Sequence, residues 1–149
     1  MKNKANDKYA LLLRLNPNYW PLWEQRLFAV HPPSVWFETS NCKLEDIKPG
    51  IPAIVLGTDG IGIVAEGTTK TGIETRFDPD WEEGSENQRE RFKEVRSRVC
   101  VKLKGVKVPL AELKKHTALE GLHKRRKTTT WLKSEQYSEI MSLIQKWRP

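Results

Sequence analysis

The sequence is poor in sulfur, with two cysteines, Cys42 and Cys100, and two methionines among 149 residues. No Cys-x-x-Cys pair occurs and the two cysteines are far apart, so nothing supports a zinc site or a disulfide framework, and reduced thiols are the default. Long hydrophobic runs are missing as well. The longest near the start, Tyr9 to Leu13, falls far short of the ~20 residues of a membrane span, and no small-residue cleavage pattern follows it. A cytoplasmic protein without membrane contact is the expectation. The chain also lacks a Gly-rich phosphate loop, a Gly-x-Ser-x-Gly elbow, internal repeats and low-complexity tracts. His31, His116 and His123 share no metal-site spacing, so no metal or cofactor is expected. Acidic residues are the minority, 19 against 26 Lys plus Arg, which leaves a net charge of +7.

What is present is an ordinary globular composition, 38% hydrophobic and 30% charged. The length suits one domain, enough to bury roughly 70% of the unfolded surface. Residues 1–7 read as a flexible polar N-terminus and residues 8–149 as a single domain. Lys8 to Leu15 is an apolar run closed by Asn16-Pro17-Asn18, which predicts a short buried strand ending in a turn. Asn18 is a candidate N-cap for a helix to about Phe28, with Tyr19, Leu22, Trp23 and Leu27 at its apolar positions, and His31-Pro32-Pro33 stops it. Ser34 to Thr39 is rich in β-formers, and Pro49-Gly50 marks a turn. Ile51 to Leu56 and Ile61 to Ala65, separated by Gly57-Thr58-Asp59-Gly60, read as a hairpin. From Val95 to Leu103, strict alternation sets Val95, Ser97, Val99, Val101 and Leu103 against Arg96, Arg98, Cys100 and Lys102, the pattern of a half-buried strand. The acid-rich stretch from Thr68 to Arg91 predicts a long loop. A short helix from Leu110 to Lys115 follows Pro109. A last helix, capped by Ser134, carries Tyr137, Ile140, Met141, Ile144 and Trp147 on one docking face. Strands in the middle with helices at the edges predict an α+β domain, a curled sheet or small barrel flanked by helices.

The positive charge is concentrated. Between Arg89 and Lys127 stand fourteen Lys or Arg and four acids, and the rest of the chain is slightly acidic. Arg96, Arg98 and Lys102 on one strand face, with the tight cluster Lys124, Arg125, Arg126 and Lys127, are candidate phosphate contacts along a nucleic-acid backbone. The bland alternative is a solvated surface. Six tryptophans matter here, because an indole can stack on any base for ~1–3 kcal/mol. Trp23 and Trp147 lie on apolar helical faces and are predicted to be core, and Trp131 is expected to pack the last helix. Trp20, Trp36 and Trp81 have polar or acidic neighbours and are the candidates for ligand contact, with core burial as the competing reading.

The order of these features is recognisable. The strand ending in Leu15-Asn16-Pro17-Asn18, the aromatic helix, the strand Val35-Trp36-Phe37-Glu38-Thr39-Ser40 and the turn Ile47-Lys48-Pro49-Gly50 come first. The hairpin from Ile54-Val55-Leu56 to Gly60-Ile61-Gly62-Ile63-Val64-Ala65-Glu66-Gly67 follows. Together they resemble the EVE domain of the PUA-like superfamily, to which the YTH readers belong. Val108 to Lys114, Ala118 to Leu122, Arg126 to Thr129 and the terminal helix are similar to the same family's tail. The resemblance covers about residues 8–147 and implies a PUA-like, strongly curved small β-barrel of five to six strands flanked by helices. It implies a pocket that holds one modified base turned out of its strand, methylated cytosine or methylated adenine, with DNA favoured over RNA as the partner. Trp36 matches the cage tryptophan, Trp81 the second wall, and Asn16 and Asn18 polar residues that follow the first strand. Trp20, Phe37 and Ser40 complete the expected pocket. The implied setting is a modification-dependent restriction system, in which a separately encoded nuclease or motor protein acts on what the reader finds.

Elementary energetics suits such a pocket. A flipped base costs a few kcal/mol to unstack, which two indole faces and hydrogen bonds to its Watson–Crick edge can offset. Asn side chains offer both a donor and an acceptor for that edge. A methyl group adds about 1 kcal/mol of burial, so discrimination of about tenfold to a hundredfold is expected. Three other readings compete with it. One is an RNA-binding PUA-like protein, which would need contacts to the 2′-hydroxyl. Another is a metal-dependent nuclease built on Asp80, Glu112 and Lys114, but Pro109 to Lys115 reads as the start of a helix, where Glu-x-Lys does not share a face. The third is a protein-interaction module, which predicts no salt-sensitive nucleic-acid binding. Binding without catalysis is the expectation carried forward.

Overall fold

A computed structural model describes residues 8–17, 20–31, 34–39, 47–58, 60–76, 96–119, 121–122 and 129–147. Along the chain run β1 (Ala10–Leu15), α1 (Trp23–Leu27), β2 (Ser34–Glu38), β3 (Pro52–Gly57), β4 (Gly62–Thr69), β5 (Glu74–Arg76) and β6 (Arg96–Val108). They are followed by α2 (Leu110–Lys114), a 3₁₀ turn (Thr117–Leu119), β7 (Thr129–Leu132) and α3 (Ser134–Lys146). The strands form one sheet in the order β2-β6-β4-β3-β1-β7, with β5 also paired to β6. The sheet is a strongly curled half-barrel carrying three helices, an α+β architecture as expected.

Alternation within the strands separates two apolar clusters. Leu11, Leu13 and Leu15 of β1 join Ala53 and Val55 of β3, Val35 and Phe37 of β2, and Val99, Val101 and Leu103 of β6 in one cluster. Only a sheet curled towards that face can bring its remote strands into a single core, so this is the inner face. Trp20 and Leu27 close it from the segment around α1. A bulge in β4 turns the consecutive residues Val64 and Ala65 to the same inner core. On the outer face, Ala10, Leu12, Ile54, Leu56, Ile63, Val106, Val108 and Leu132 meet Leu113, Leu119, Ile140, Leu143 and Ile144 from the helices. β1 therefore buries both of its faces, which explains its unbroken apolar run. It pairs parallel to β3 and antiparallel to β7.

The last helix docks as its spacing predicts, through Ile140, Leu143 and Ile144, all nearly inaccessible. Each such side chain contributes ~1.5–3 kcal/mol by leaving water. Trp147, expected on that face, is instead 42% exposed, because α3 ends at Lys146 and the outer core stops one turn earlier. The cap also sits one residue earlier than expected. Lys133 is the cap residue, and its N–H donates to Gln136 Oε1 at 2.9 Å. His116 Nδ1 lies 2.6 Å from Glu139 Oε1 and ties the end of α2 to α3. Trp131 does not pack the last helix: it lies in β7 opposite Leu11 and borders the inner core. The expected strand from Val95 to Leu103 runs on to Val108.

Candidate nucleic-acid interface

Cross-strand register decides which side chains share a face, because residues directly opposite one another point the same way. On the outer face Ile54 lies opposite Glu66, Glu66 opposite Lys104, Thr68 opposite Lys102, Lys102 opposite Ser34, and Cys100 opposite Trp36. Helices cover the β1 and β3 end of this face. Beyond their edge, Lys102, Lys104, Thr68 and Ser34 are exposed, and Trp36 is partly exposed. Two lysines two residues apart on one strand stand about 6.6–6.8 Å apart. They form a short cationic row beside an indole.

This arrangement divides the sequence-derived pocket. Phe37 follows Trp36 directly, so the pleat sends it to the opposite face, where it is buried in the inner core. Trp20 is 5% exposed in the same core. Its backbone N–H donates to the Asn16 carbonyl oxygen at 3.2 Å. Asn16 itself is half-buried. The structure thus brings Trp20 and Phe37 together inside and sets Trp36 outside. Asn18, Ser40, Trp81 and the cluster Lys124, Arg125, Arg126 and Lys127 lie outside the described residues, as does Asp80 of the nuclease alternative.

The expected phosphate contacts separate in the same way. Arg96 pairs with Arg76 through the backbone, and its side chain lies outside the description. Arg98 is a correction to the basic stripe: it is fully buried, flanked in register by Glu38 of β2 and Glu74 of β5, and presents no charge to solvent. Lys102 is exposed as expected. Lys104, which sequence reasoning missed, lies one full pleat further along and completes the row.

The edge of the outer face carries a second group. Tyr9 is 44% exposed, and its ring centroid lies 5.4 Å from that of Tyr137 on α3, tilted by 48°. Burial, and then the nearby charges of Glu66 and Tyr9, push the Tyr137 phenol above its ordinary range. Glu66 is half-buried, with Oε2 inaccessible to solvent. Glu112 stands on α2, where Lys115 Nζ bonds its Oε1 at 3.0 Å and, as the largest influence, holds the carboxyl below its ordinary range. Among the described residues, no three His, Cys, Asp or Glu side chains cluster as a metal site would require. No described helix is long and apolar enough to cross a membrane.

No protein-family model and no curated protein matches the sequence. Solved structures do match. An ASCH protein from Zymomonas mobilis, 12% identical, superposes with a TM-score of 0.54 over 92% of this chain and 96% of its own. The chain shares the fold of that ASCH protein. A hypothetical protein from Leishmania major shares it at 15% identity and TM-score 0.61, covering 95% of this chain and 98% of its own. A protein from Rhodopseudomonas palustris does so at 16% identity and TM-score 0.64, covering 95% and 96%. At such identities the likeness is one of fold, and function is argued from the site. In this chain that site is the part of the outer face of β2, β6 and β4 where Ser34, Thr68, Lys102 and Lys104 are exposed.

Proposed function

We propose that this chain is a nucleic-acid-binding module that uses the outer face of β2, β6 and β4. Lys102 and Lys104 contact phosphates and Trp36 stacks a base. The observation that carries the proposal is the register that sets a partly exposed indole, opposite Cys100, diagonal to exposed Lys102 on one strand face, with exposed Lys104 one pleat further along. A cationic row combined with an aromatic platform is the minimal equipment for holding single-stranded nucleic acid, since the lysines follow the backbone and the indole accepts any base.

The narrower form of the proposal follows the EVE-like sequence pattern. The stacked base is one turned out of its strand, and a methyl group on it improves binding by about tenfold through added apolar contact. In that form Trp81 is the candidate second wall, DNA is the favoured partner, and a separately encoded nuclease or motor protein acts on the bound site. The chain itself binds and performs no chemistry.

Fluorescence anisotropy at one fixed salt concentration tests both forms. The probes are matched DNA and RNA oligonucleotides carrying plain, methylcytosine or methyladenine bases, each run with wild type and Trp36→Ala. Loss of one stacking contact is expected to weaken binding by about 5- to 150-fold, equivalent to ~1–3 kcal/mol. A methyl preference in wild type that Trp36→Ala erases supports the narrower form. Binding that is equal for wild type and Trp36→Ala refutes the role of this face.

A further inference from the structure

β4 ends at Thr69 and β5 begins at Glu74, and between them four residues, Lys70 to Ile73, stand opposite two of β6, Val99 and Cys100. Such a bulge re-aims a side chain and interrupts the ladder. Here it is fastened to β6. The Lys70 N–H donates to the Cys100 carbonyl oxygen at 2.8 Å, and the Cys100 N–H donates to Thr71 Oγ1 at 3.1 Å. The first bond carries the β4 register one residue further, so Lys70 lies opposite Cys100, on the face of Trp36 and Lys102. Lys70 is exposed, and the row of Lys102 and Lys104 does not account for it.

We infer that Lys70 and Lys102 together hold a terminal phosphate monoester, so that this face recognises the end of a nucleic-acid strand. The inference rests on the nucleic-acid reading above and extends it to the chemistry of the strand end. Trp36, Cys100 and Lys70 form one cross-strand row, with the indole and the lysine two strand spacings apart, about 9–10 Å. Cys100, small and 6% exposed, is the floor between them. Lys102 is diagonal to both, about 7–8 Å from each, and stands between Ser34 and Thr68. A base stacked on Trp36 therefore has its phosphate within reach of two ammonium groups and two hydroxyls. Among the described residues, the side chains of Lys70, Lys102, Ser34 and Thr68 make no hydrogen bond or ion pair, so their donors face a ligand.

Charge beyond Lys70 decides that the phosphate is terminal. The next row of β6 sets exposed Glu74 opposite Arg98, whose own side chain is fully buried. A backbone continuing past Lys70 would bring its next phosphate against that carboxylate, whereas a strand that stops there meets only cations, with its preceding phosphates on the Lys104 side. A phosphate monoester also carries about −1.5 to −2 at neutral pH and offers three acceptor oxygens. An internal diester carries a single charge and has fewer free oxygens, so it gains less from paired ammonium and hydroxyl donors. The strand end is thus selected by attraction at Lys70 and by repulsion at Glu74. Exposed ion pairs are screened by water, which sets the expected preference at about fivefold.

The test is competition against a labelled oligomer at one fixed salt concentration, using unlabelled oligothymidines in deoxy and ribo forms. Their ends carry a 5′-phosphate, a 3′-phosphate or hydroxyls only. A hydroxyl-ended oligomer one nucleotide longer matches the phosphorylated ones in number of phosphates. Wild type is expected to bind one of the phosphorylated forms about fivefold more tightly than both hydroxyl-ended ones, and which form it is assigns the end that is read. Lys70→Gln is expected to bring that ratio close to one, while Lys70→Arg keeps it. Lys107→Gln, which removes an exposed lysine beside α1 that already pairs with Glu24, should leave the ratio unchanged. Melting curves followed by circular dichroism show that each variant is folded. A ratio near one for both ends in wild type overturns the inference, as does a ratio that survives Lys70→Gln or falls equally in Lys107→Gln. So does a longer hydroxyl-ended oligomer that binds as tightly as the phosphorylated ones. If Trp36→Ala weakens every oligomer while no end preference exists, the strand-end site is refuted and the nucleic-acid reading stands. If Trp36→Ala changes nothing and no end preference exists, both fall.

Discussion

Replacing Lys102 and Lys104 together by Gln isolates the electrostatic part of the proposed interface. Both side chains are exposed on one strand face, about 6.6–6.8 Å apart, so each is placed to neutralise a different phosphate. A phosphate contact to single-stranded nucleic acid contributes about 0.7 to the slope of log K against log salt, so the double variant should lower that slope by about 1.4. Between about 50 and 200 mM salt, wild type should then lose about sevenfold more affinity than the variant. Gln keeps a polar side chain at both positions, and neither lysine packs in a core, so stability should stay within ~0.5 kcal/mol. Anisotropy titrations at four or five salt concentrations give the slope directly. Trp36→Ala is the internal control, expected to shift the whole line to weaker binding at unchanged slope. Equal slopes for wild type and the double lysine variant would refute the placement of phosphates on this strand, whatever the absolute affinity.

Four further outcomes test the fold around the site. Ile140→Ala, which truncates a fully buried side chain of α3 in the outer core, should cost ~2–5 kcal/mol in denaturant unfolding. The exposed Ser142→Ala on the same helix should cost little. Thr39 is 2% exposed and its Oγ1 has no hydrogen-bond partner among the described residues. Thr39→Val should therefore raise stability by about 1 kcal/mol, and a lower urea midpoint would contradict this. Tyr137 should titrate above its ordinary value of 10.0, and Glu66→Gln should bring its ultraviolet titration midpoint down, leaving the parts due to burial and Tyr9. Because the folded value is raised, this group's contribution to stability is present below the ordinary tyrosine range and is lost as pH rises through the shifted value. Glu112 titrates below its ordinary 4.5, chiefly through the bond from Lys115. Its contribution is present above that range and lost as pH falls through the lowered value, and Lys115→Met should move its NMR titration upward.

Much of the scaffold was legible because its strands follow simple rules. β1 declares itself as an unbroken apolar run, the first half of β6 as strict alternation, and α3 by its helical spacing. The Pro109 start of α2 was readable too. β5 was not, since Glu74, Thr75 and Arg76 offer no apolar residue, and the segment is a strand only because β6 lies alongside. β7 is four residues long and follows a basic cluster, and no alternation in so short a segment marked it as a strand. The second half of β6 escaped for a different reason. Its apolar positions shift from Val99, Val101 and Leu103 to Val106 and Val108 across Gly105, because the strand changes the face it buries. That same shift hid Lys104. The candidate site was legible at Trp36 and Lys102, whose faces follow from alternation. It failed at Arg98, where a charged residue in an alternating strand is no guide to whether other segments enclose it. It also failed for Trp20 and Phe37, which only three-dimensional register separates from Trp36.

The change of face within β6 bears on how the molecule comes apart. One uninterrupted strand supplies Val99, Val101 and Leu103 to the inner core and Val106 and Val108 to the outer one. The crossover falls at Gly105, where a side chain would strike the carbonyl of Leu27 at 2.8 Å. Neither core can lose its packing without pulling on a strand that the other still holds. The two halves are therefore mechanically linked and open as one cooperative unit, not as an independent barrel and helical cap. The face proposed to bind nucleic acid lies on that strand and inherits the rigidity of both.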